Sequence, residues 1–503
     1  MTPEHLSQPA TLSRRSFLAL ASVPAVGGVL AGCGFSASPV EDPIHFDTAL
    51  PIPPLAEGET DDDGTLVYNL TARAGEHVFT GDVATPTRGF NGNVLGPTLR
   101  ARDGQDVAIN VTNELDEATS VHWHGMHLPA AMDGGPHQMI DPGRSWRAHW
   151  QIRQAAATLW YHPHPHGATE EHVYQGLAGL FLLDDDDTDA AGLPGEYGVD
   201  DIPVIVQDKK FDDDGRLTID DGGNEIGLLG NVVVVNGIAG PVLQVSTELV
   251  RLRLLNGSGA RTYSFGFRDR TFDLVATDGG LLRSPVELEQ IRLSPGERAE
   301  IVVAMRPGTE TMLRSFEPDL GRVVAGFAYG ANDSFDVLRL VAAESLAPSD
   351  SVPEVLSQFG LDPAEAKVRR TFELRDREIN GAEMDMARVD ESVVVDTVEV
   401  WEVRNANQFP HNFHVHDVQF EVVTVDGAQP PPELRGRKDT VYLEPHRRYE
   451  LAMMFTDYTD PQLPYMYHCH LLRHEDEGMM GQFVVVAEGQ EADTAMLGHH
   501  GHD

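Results

Sequence analysis

The chain has 503 residues and a formal net charge of −42. That length is more than one hydrophobic core organises, and about three domains are expected. Such acidity excludes nucleic acid as a partner, because phosphate contacts need a basic surface. It leaves cationic substrates or plain solvation, and the acidic runs at 61–63, 184–187 and 212–214 suit solvated loops.

Residues 1–33 read as a targeting segment. Arg14 and Arg15 precede an apolar run that ends at Ala31. The run is too short to span a bilayer and suits the apolar region of an export signal. The paired arginines resemble a twin-arginine signal. Leu30-Ala31-Gly32-Cys33 resembles a lipoprotein processing box, so cleavage before Cys33 and a lipid on that cysteine are expected. The protein is then an exported lipoprotein, periplasmic or at the cell surface, and meets a membrane only through that lipid. Residues 34–64, rich in Pro, Asp and Glu, are expected to be a tether. Only Cys33 and Cys469 are present, so no disulfide framework exists.

From Asn91 onward the pattern is β-like, and 48 Gly with 32 Pro suit short strands and many turns. Val107, Ile109 and Val111 alternate and end at Asn113. Val250, Leu252 and Leu254 alternate and end at Asn256; Val398 and Val400 lead through Trp401 to Asn405. Each is followed by a turn and another strand, opening at Pro142, Pro295 and Pro445, about 150 residues apart. A repeat of that length is a whole domain copied three times. Short alternating strands make each copy a β-sandwich. The copies are placed at 65–190, 200–345 and 369–488, with a linker at 346–368 and a tail at 489–503 that holds His499, His500 and His502.

Four histidine pairs have i, i+2 spacing: His122 and His124, His162 and His164, His414 and His416, His468 and His470. On a strand that spacing puts both imidazoles on one face. Eight imidazoles are more than one metal ion uses. Cys469, with His474 five residues on and Met479 ten residues on, supplies three groups of a copper electron-transfer site, trigonal His₂Cys with a weak axial Met. His411 is left over and can supply the second imidazole. If the strand runs through His470, Cys469 points away from His468 and His470, and one segment joins two metal sites. No His occurs from Val173 to Pro410. The middle copy therefore brings no imidazole and acts as a spacer or brace, while copies one and three must touch.

The motifs His122-Trp-His-Gly125, Trp160-Tyr-His-Pro-His164, His411-Asn-Phe-His-Val-His416 and His468 to Met479, in that order, resemble three-domain bacterial multicopper oxidases of the laccase, copper efflux oxidase and bilirubin oxidase type, over roughly residues 65 to 488. The resemblance implies an all-β fold of three cupredoxin-like Greek-key β-sandwiches. It implies four copper ions: a type 1 ion on His411, Cys469, His474 and Met479, a type 2 ion on His122 and His414, and a type 3 pair on His124, His162, His164, His416, His468 and His470. Reducing substrate is expected to give electrons at an exposed edge of His474, and dioxygen is expected to be reduced to water. That reduction consumes protons, so Asp133 and Glu475 beside the motifs are the expected carboxyl donors. A small-molecule reductant and dioxygen are the expected partners. The stretch 358–395 has only Met384 and Met386, and Asn407 and Phe409 stand where copper efflux oxidases place an acid and a methionine. A laccase-like oxidase of phenols and aromatic amines is therefore expected, ahead of a cuprous oxidase or a non-catalytic copper-binding relative.

Overall fold

The computed structural model describes residues 44–493. Arg14, Arg15, Cys33 and the three tail histidines lie outside the described residues. The architecture is the expected one, β-sandwiches in series. The first has a five-stranded and a four-stranded sheet, the second a seven- and a six-stranded sheet, the third a six- and a five-stranded sheet. Among the described residues no helix is long and apolar enough to cross a membrane.

The internal repeat holds at the level of strand pairing. In the first copy Asp106–Asn113 lies parallel to Leu66–His77 and antiparallel to Ser145–Gln151. Leu249–Asn256 repeats this between Asp201–Lys209 and Arg298–Ala304, and Thr397–Asn405 repeats it between Val368–Arg375 and Arg448–Phe455. The asparagine that ends each central strand does the same work three times. Asn113 Nδ2 donates to Ile140 O, Asn256 Nδ2 to Leu293 O and Asn405 Nδ2 to Leu443 O, at 2.8, 2.9 and 3.0 Å. Each thereby satisfies a buried carbonyl two residues before the matching proline.

Alternation fails on one face for a physical reason. Arg251 and Arg253 fall on the outward positions of their strand yet are buried. Arg253 pairs with Asp201 at 2.6 Å and Glu300 at 2.9 Å, and donates to Thr158 Oγ of the first copy at 2.8 Å. The outer face of the middle sandwich is thus an internal interface, where charges are kept by pairing. The expected tether is also corrected. From Ile44 onward the chain is docked: Thr48–Ala49 pairs with Pro241–Thr247, Leu50 N donates to Val242 O at 2.8 Å, and Glu59–Thr60 pairs with Leu66–His77. Backbone partners on two sandwiches outweigh the acidic, Pro-rich composition there.

Copies one and three touch as expected. The backbone amides of Thr169 and Glu170, at the start of helix Thr169–Gln175, donate to the Asp476 carboxylate at 2.7 and 2.8 Å. That helix has no cap of its own, so a residue of the third copy caps it. His127 joins the same two copies through Asp417 at 2.8 Å and Asp457 at 3.2 Å. Burial alone would lower its pKa, but the two carboxylates raise it to about 9. A raised folded-state pKa stabilises below the unfolded value, about 6.5, and that stabilisation is lost as pH rises through about 9. Thermal midpoints should fall between pH 7 and 10, and His127→Gln should flatten that fall while lowering the midpoint at pH 7; a variant with an unchanged pH profile would remove His127 from this role.

Candidate metal centre

Four segments carry the histidine pairs to one place. His122–His124 pairs with Thr158–His162, and His411–Val415 pairs with the end of Asp460–His468. Only the first pair lies wholly within a strand; His164, His416 and His470 stand just beyond strand ends. Cys469 follows the last strand residue, and the expected alternation persists through it. Its Sγ faces His411 and His474, while His468 and His470 face the first copy.

Nitrogens and sulfur converge in two regions. In the first, His411 Nδ1 lies 3.4 Å from Cys469 Sγ, His474 Nδ1 lies 3.5 Å from Sγ, and the two nitrogens are 3.1 Å apart. Met479 is buried in the same apolar cluster, and its carbonyl accepts from Cys469 N at 3.1 Å. In the second, the eight imidazoles divide into sets whose ligand atoms lie within 4.8 Å of one another: His124, His162 and His470; His164, His416 and His468; His122 and His414 with His416 alongside. Three of the four i, i+2 pairs are split between sets, while His414 and His416 share one and His416 also joins His164 and His468.

The hydrogen bonds around the rings fix which nitrogen is free. His411 Nε2 donates to Asn407 Oδ1 at 3.0 Å and His474 Nε2 to Glu225 O at 2.9 Å. Two Nδ1 lone pairs therefore face each other across 3.1 Å. His162 Nδ1 donates to Pro163 O at 2.8 Å and His124 Nε2 to Asp439 Oδ1 at 3.0 Å, so His162 Nε2 and His124 Nδ1 confront each other as lone pairs at 3.4 Å. His416 Nδ1 donates to Asp133 Oδ2 at 2.8 Å, leaving Nε2 free and 3.2 Å from His468 Nε2. His122 and His414 donate from Nδ1 to backbone oxygens at 2.9 Å, and their Nε2 atoms are buried without partners. Converging buried lone pairs repel unless a cation lies between them. Nitrogens 3.1–3.4 Å apart suit one ion about 2.0 Å from each. The donor set therefore fits metal ions, and imidazole with thiolate suits copper. Burial lowers the pKa of His124, His162, His164, His414, His468 and His474, which keeps these rings neutral for ligation. Burial raises the Cys469 thiol to about 12, so a bound cation is what makes it a thiolate.

Both expected carboxyl residues reach the second region. Besides His416, Asp133 Oδ1 lies 3.4 Å from His122 Nδ1. Glu475 sits between His164 and His468, each oxygen 3.2 Å from an Nδ1 but off the line of a hydrogen bond. Burial, with the nearby charge of Asp476, pushes the Glu475 carboxyl well above its usual range. Asp439, which sequence spacing missed, also contacts two of the candidate ligand rings. It accepts from His124 Nε2 through Oδ1 and from His414 Nδ1 through its carbonyl. The exposed edge expected at His474 is also corrected. The ring is fully buried because the Glu225 segment of the middle sandwich covers Nε2. Among the other histidines, His166 is exposed, and His172 is buried against Thr119 and Glu117.

Family models described as multicopper oxidase match residues 71–188, 221–312 and 358–489. The chain is 37% identical to the multicopper oxidase mco of Staphylococcus haemolyticus over 86% of this chain and 91% of that protein. It is also 37% identical to cell division protein FtsP of Dickeya dadantii, over 87% and 92%. A laccase-like multicopper oxidase from the lignin-degrading bacterium Ochrobactrum sp., with oxidase activity towards lignin model compounds, superposes with a TM-score of 0.79 at 33% identity, covering 87% of this chain and all of that one. With three matching models spanning most of its length and relatives above one-third identity, the chain belongs to the multicopper oxidase family, which makes it a copper-binding oxidoreductase.

Proposed function

We propose that the protein is a laccase-like oxidase that couples four one-electron oxidations of phenols or aromatic amines to reduction of one dioxygen to two waters. The carrying observation is the set of opposed lone pairs, each oriented by an outer hydrogen bond. We assign a type 1 copper to His411, Cys469, His474 and Met479, and a type 2 copper to His122 and His414. The type 3 pair divides between His124, His162 and His470 on one ion and His164, His416 and His468 on the other. When bound, copper supplies one-electron acceptance at the first region and multi-electron dioxygen reduction at the second.

The chain's own residues do the rest. Cys469 joins the regions by covalent bonds, its thiolate in one and its neighbours His468 and His470 in the other. Asn407 and Glu225 O hold the rings of His411 and His474 by their outer nitrogens. Asp133 orients His416 and lies against His122. Burial favours the protonated form of the Glu475 carboxyl, which lies within reach of the second region and suits a general acid. Its proton is replaced from solvent after each transfer.

The surface near the first region favours an aromatic donor. The Phe409 ring packs 5.1 Å from His411 and 5.9 Å from His474, and Tyr329 lies 6.3 Å from Phe409. Phe327, on the same short helix Gly326–Tyr329, is 68% exposed. Asn407 and Phe409 are engaged with the ligand rings and offer neither a thioether nor a carboxylate to a substrate copper. The complete donor set weighs against a purely structural role of the kind that the name of the cell division relative suggests. A steady-state screen of phenols, aromatic diamines, bilirubin and cuprous ion tests this reading. Fastest turnover with an aromatic donor is expected, and turnover with cuprous ion alone would replace it with the cuprous-oxidase alternative.

The proposal includes export as a lipoprotein, motivated by Arg14, Arg15 and the box ending at Cys33. Mass spectrometry of the mature protein should find an acylated N-terminal Cys33. An unmodified start downstream of Cys33 would remove the anchor.

A further inference from the structure

The middle sandwich brings no imidazole, yet it reaches the second region with a buried charge. Arg298 is fully buried at the start of a strand. Its Nη1 donates to Asp439 Oδ1 at 2.7 Å and its Nη2 to Oδ2 at 2.6 Å, a two-pronged pair. The same Oδ1 accepts from His124 Nε2 at 3.0 Å. One residue from each sandwich thus stands in line: Arg298 from the second, Asp439 from the third, His124 from the first. The guanidinium has no freedom left, because Nε donates to Thr158 O at 2.9 Å, Nη1 to Gly296 O at 3.1 Å and Nη2 to Asp278 O at 3.0 Å. Asp278 and Glu297 in turn bind Lys438 at 3.0 and 3.1 Å.

The turn after His124 is shaped around this pair. A Cβ on Gly125 would stand 2.5 Å from Asp439 Oδ2 and 2.7 Å from Arg298 Nη2. Gly125 also has φ +85°, which favours glycine. A buried ion pair is poor as a device for stability, since desolvation offsets most of its attraction. Its two prongs do fix the direction of a carboxylate, and here that carboxylate holds the back of a ring whose Nδ1 faces His162.

We propose that Arg298 is a positioning residue for the metal group of His124, His162 and His470, acting through Asp439 to hold the His124 ring so that Nδ1 faces inward. This rests on the copper assignment above. It makes correct seating of the middle sandwich a condition for filling that group, a larger part than the spacer or brace expected from its lack of histidine.

Two variants test it. Arg298→Lys keeps the charge and loses the fork. The double variant Arg298→Met with Asp439→Leu removes both charges, so no unpaired ion is left buried. Wild-type and variant proteins are loaded with copper, then titrated with a competing chelator while total copper, the blue band and circular dichroism are followed. The expected result is an intact blue band and native circular dichroism in both variants. Copper in the second region should be held about 10–100-fold more weakly, the usual cost of losing an outer-shell partner. Metal-free melting of the double variant should stay near that of wild type, which a merely structural salt bridge would share. A folded variant that keeps wild-type affinity for all its copper overturns the proposal; if the double variant does not fold, Arg298→Lys decides by the same titration. Wild-type protein that takes up no copper beyond the blue site would instead overturn the copper assignment itself.

Discussion

Cys469→Ser is expected to abolish the blue colour and reduce turnover to background while leaving the fold intact. The thiolate is at once a ligand with His411 and His474 and the atom through which the chain joins the two regions. Serine is close in size, and a neutral thiol is what the metal-free core already accommodates. The three sandwich cores contribute far more to stability than this one side chain, so melting of the metal-free variant should lie close to wild type. Loss of colour with retained circular dichroism is the predicted pair of readings. A Cys469→Ser protein that oxidised substrate at the wild-type rate would show that electrons enter elsewhere.

Glu475→Gln is expected to slow reoxidation by dioxygen about 10²–10⁴-fold, the range of a general acid, with reduction of the blue site unchanged. Glutamine fills the same space between His164 and His468 but has no carboxyl proton. Electron entry uses the other side of Cys469 and does not involve this group. In stopped flow, anaerobic bleaching should be normal and the return of colour with oxygen slow. Copper content should stay at the wild-type level. Asp133→Asn is the informative comparison. Asp133 accepts from His416 Nδ1, and Asn retains an acceptor oxygen, so a weaker effect on reoxidation is expected than from Glu475→Gln. If Asp133→Asn were the more damaging, the proton source would lie on the His122 and His416 side.

The donor residues were legible in the sequence because strand geometry imposes spacings. Four pairs at i, i+2, taken with the Cys469–His474–Met479 series, match a set of metal ligands far better than they match core or surface histidines. The triple repeat was legible because Asn113, Asn256 and Asn405 each end a central strand and tie the same carbonyl. What escaped was everything created by docking. Asp439 meets His124 across 315 residues and Arg298 across 141, and nothing in Arg437-Lys-Asp-Thr440 has the spacing of a ligand. The division of the rings into sets depends on how four segments from two sandwiches meet, which spacing along any one segment does not reveal. The cover over His474 is a backbone carbonyl, which any residue at 225 would supply. The docking of 44–64 rests on backbone pairing, which its acidic, Pro-rich composition does not advertise.

The central claim is that these side chains hold two cooperating copper regions. Anaerobic reductive titration of the copper-loaded protein tests it most directly. Four electron equivalents per chain are predicted, bleaching the blue band along the way, and one equivalent of dioxygen should then restore the oxidised protein without free peroxide. Saturation at a single equivalent, with dioxygen unable to restore the colour, would contradict the account, because the eight imidazoles would then hold no redox-active cluster.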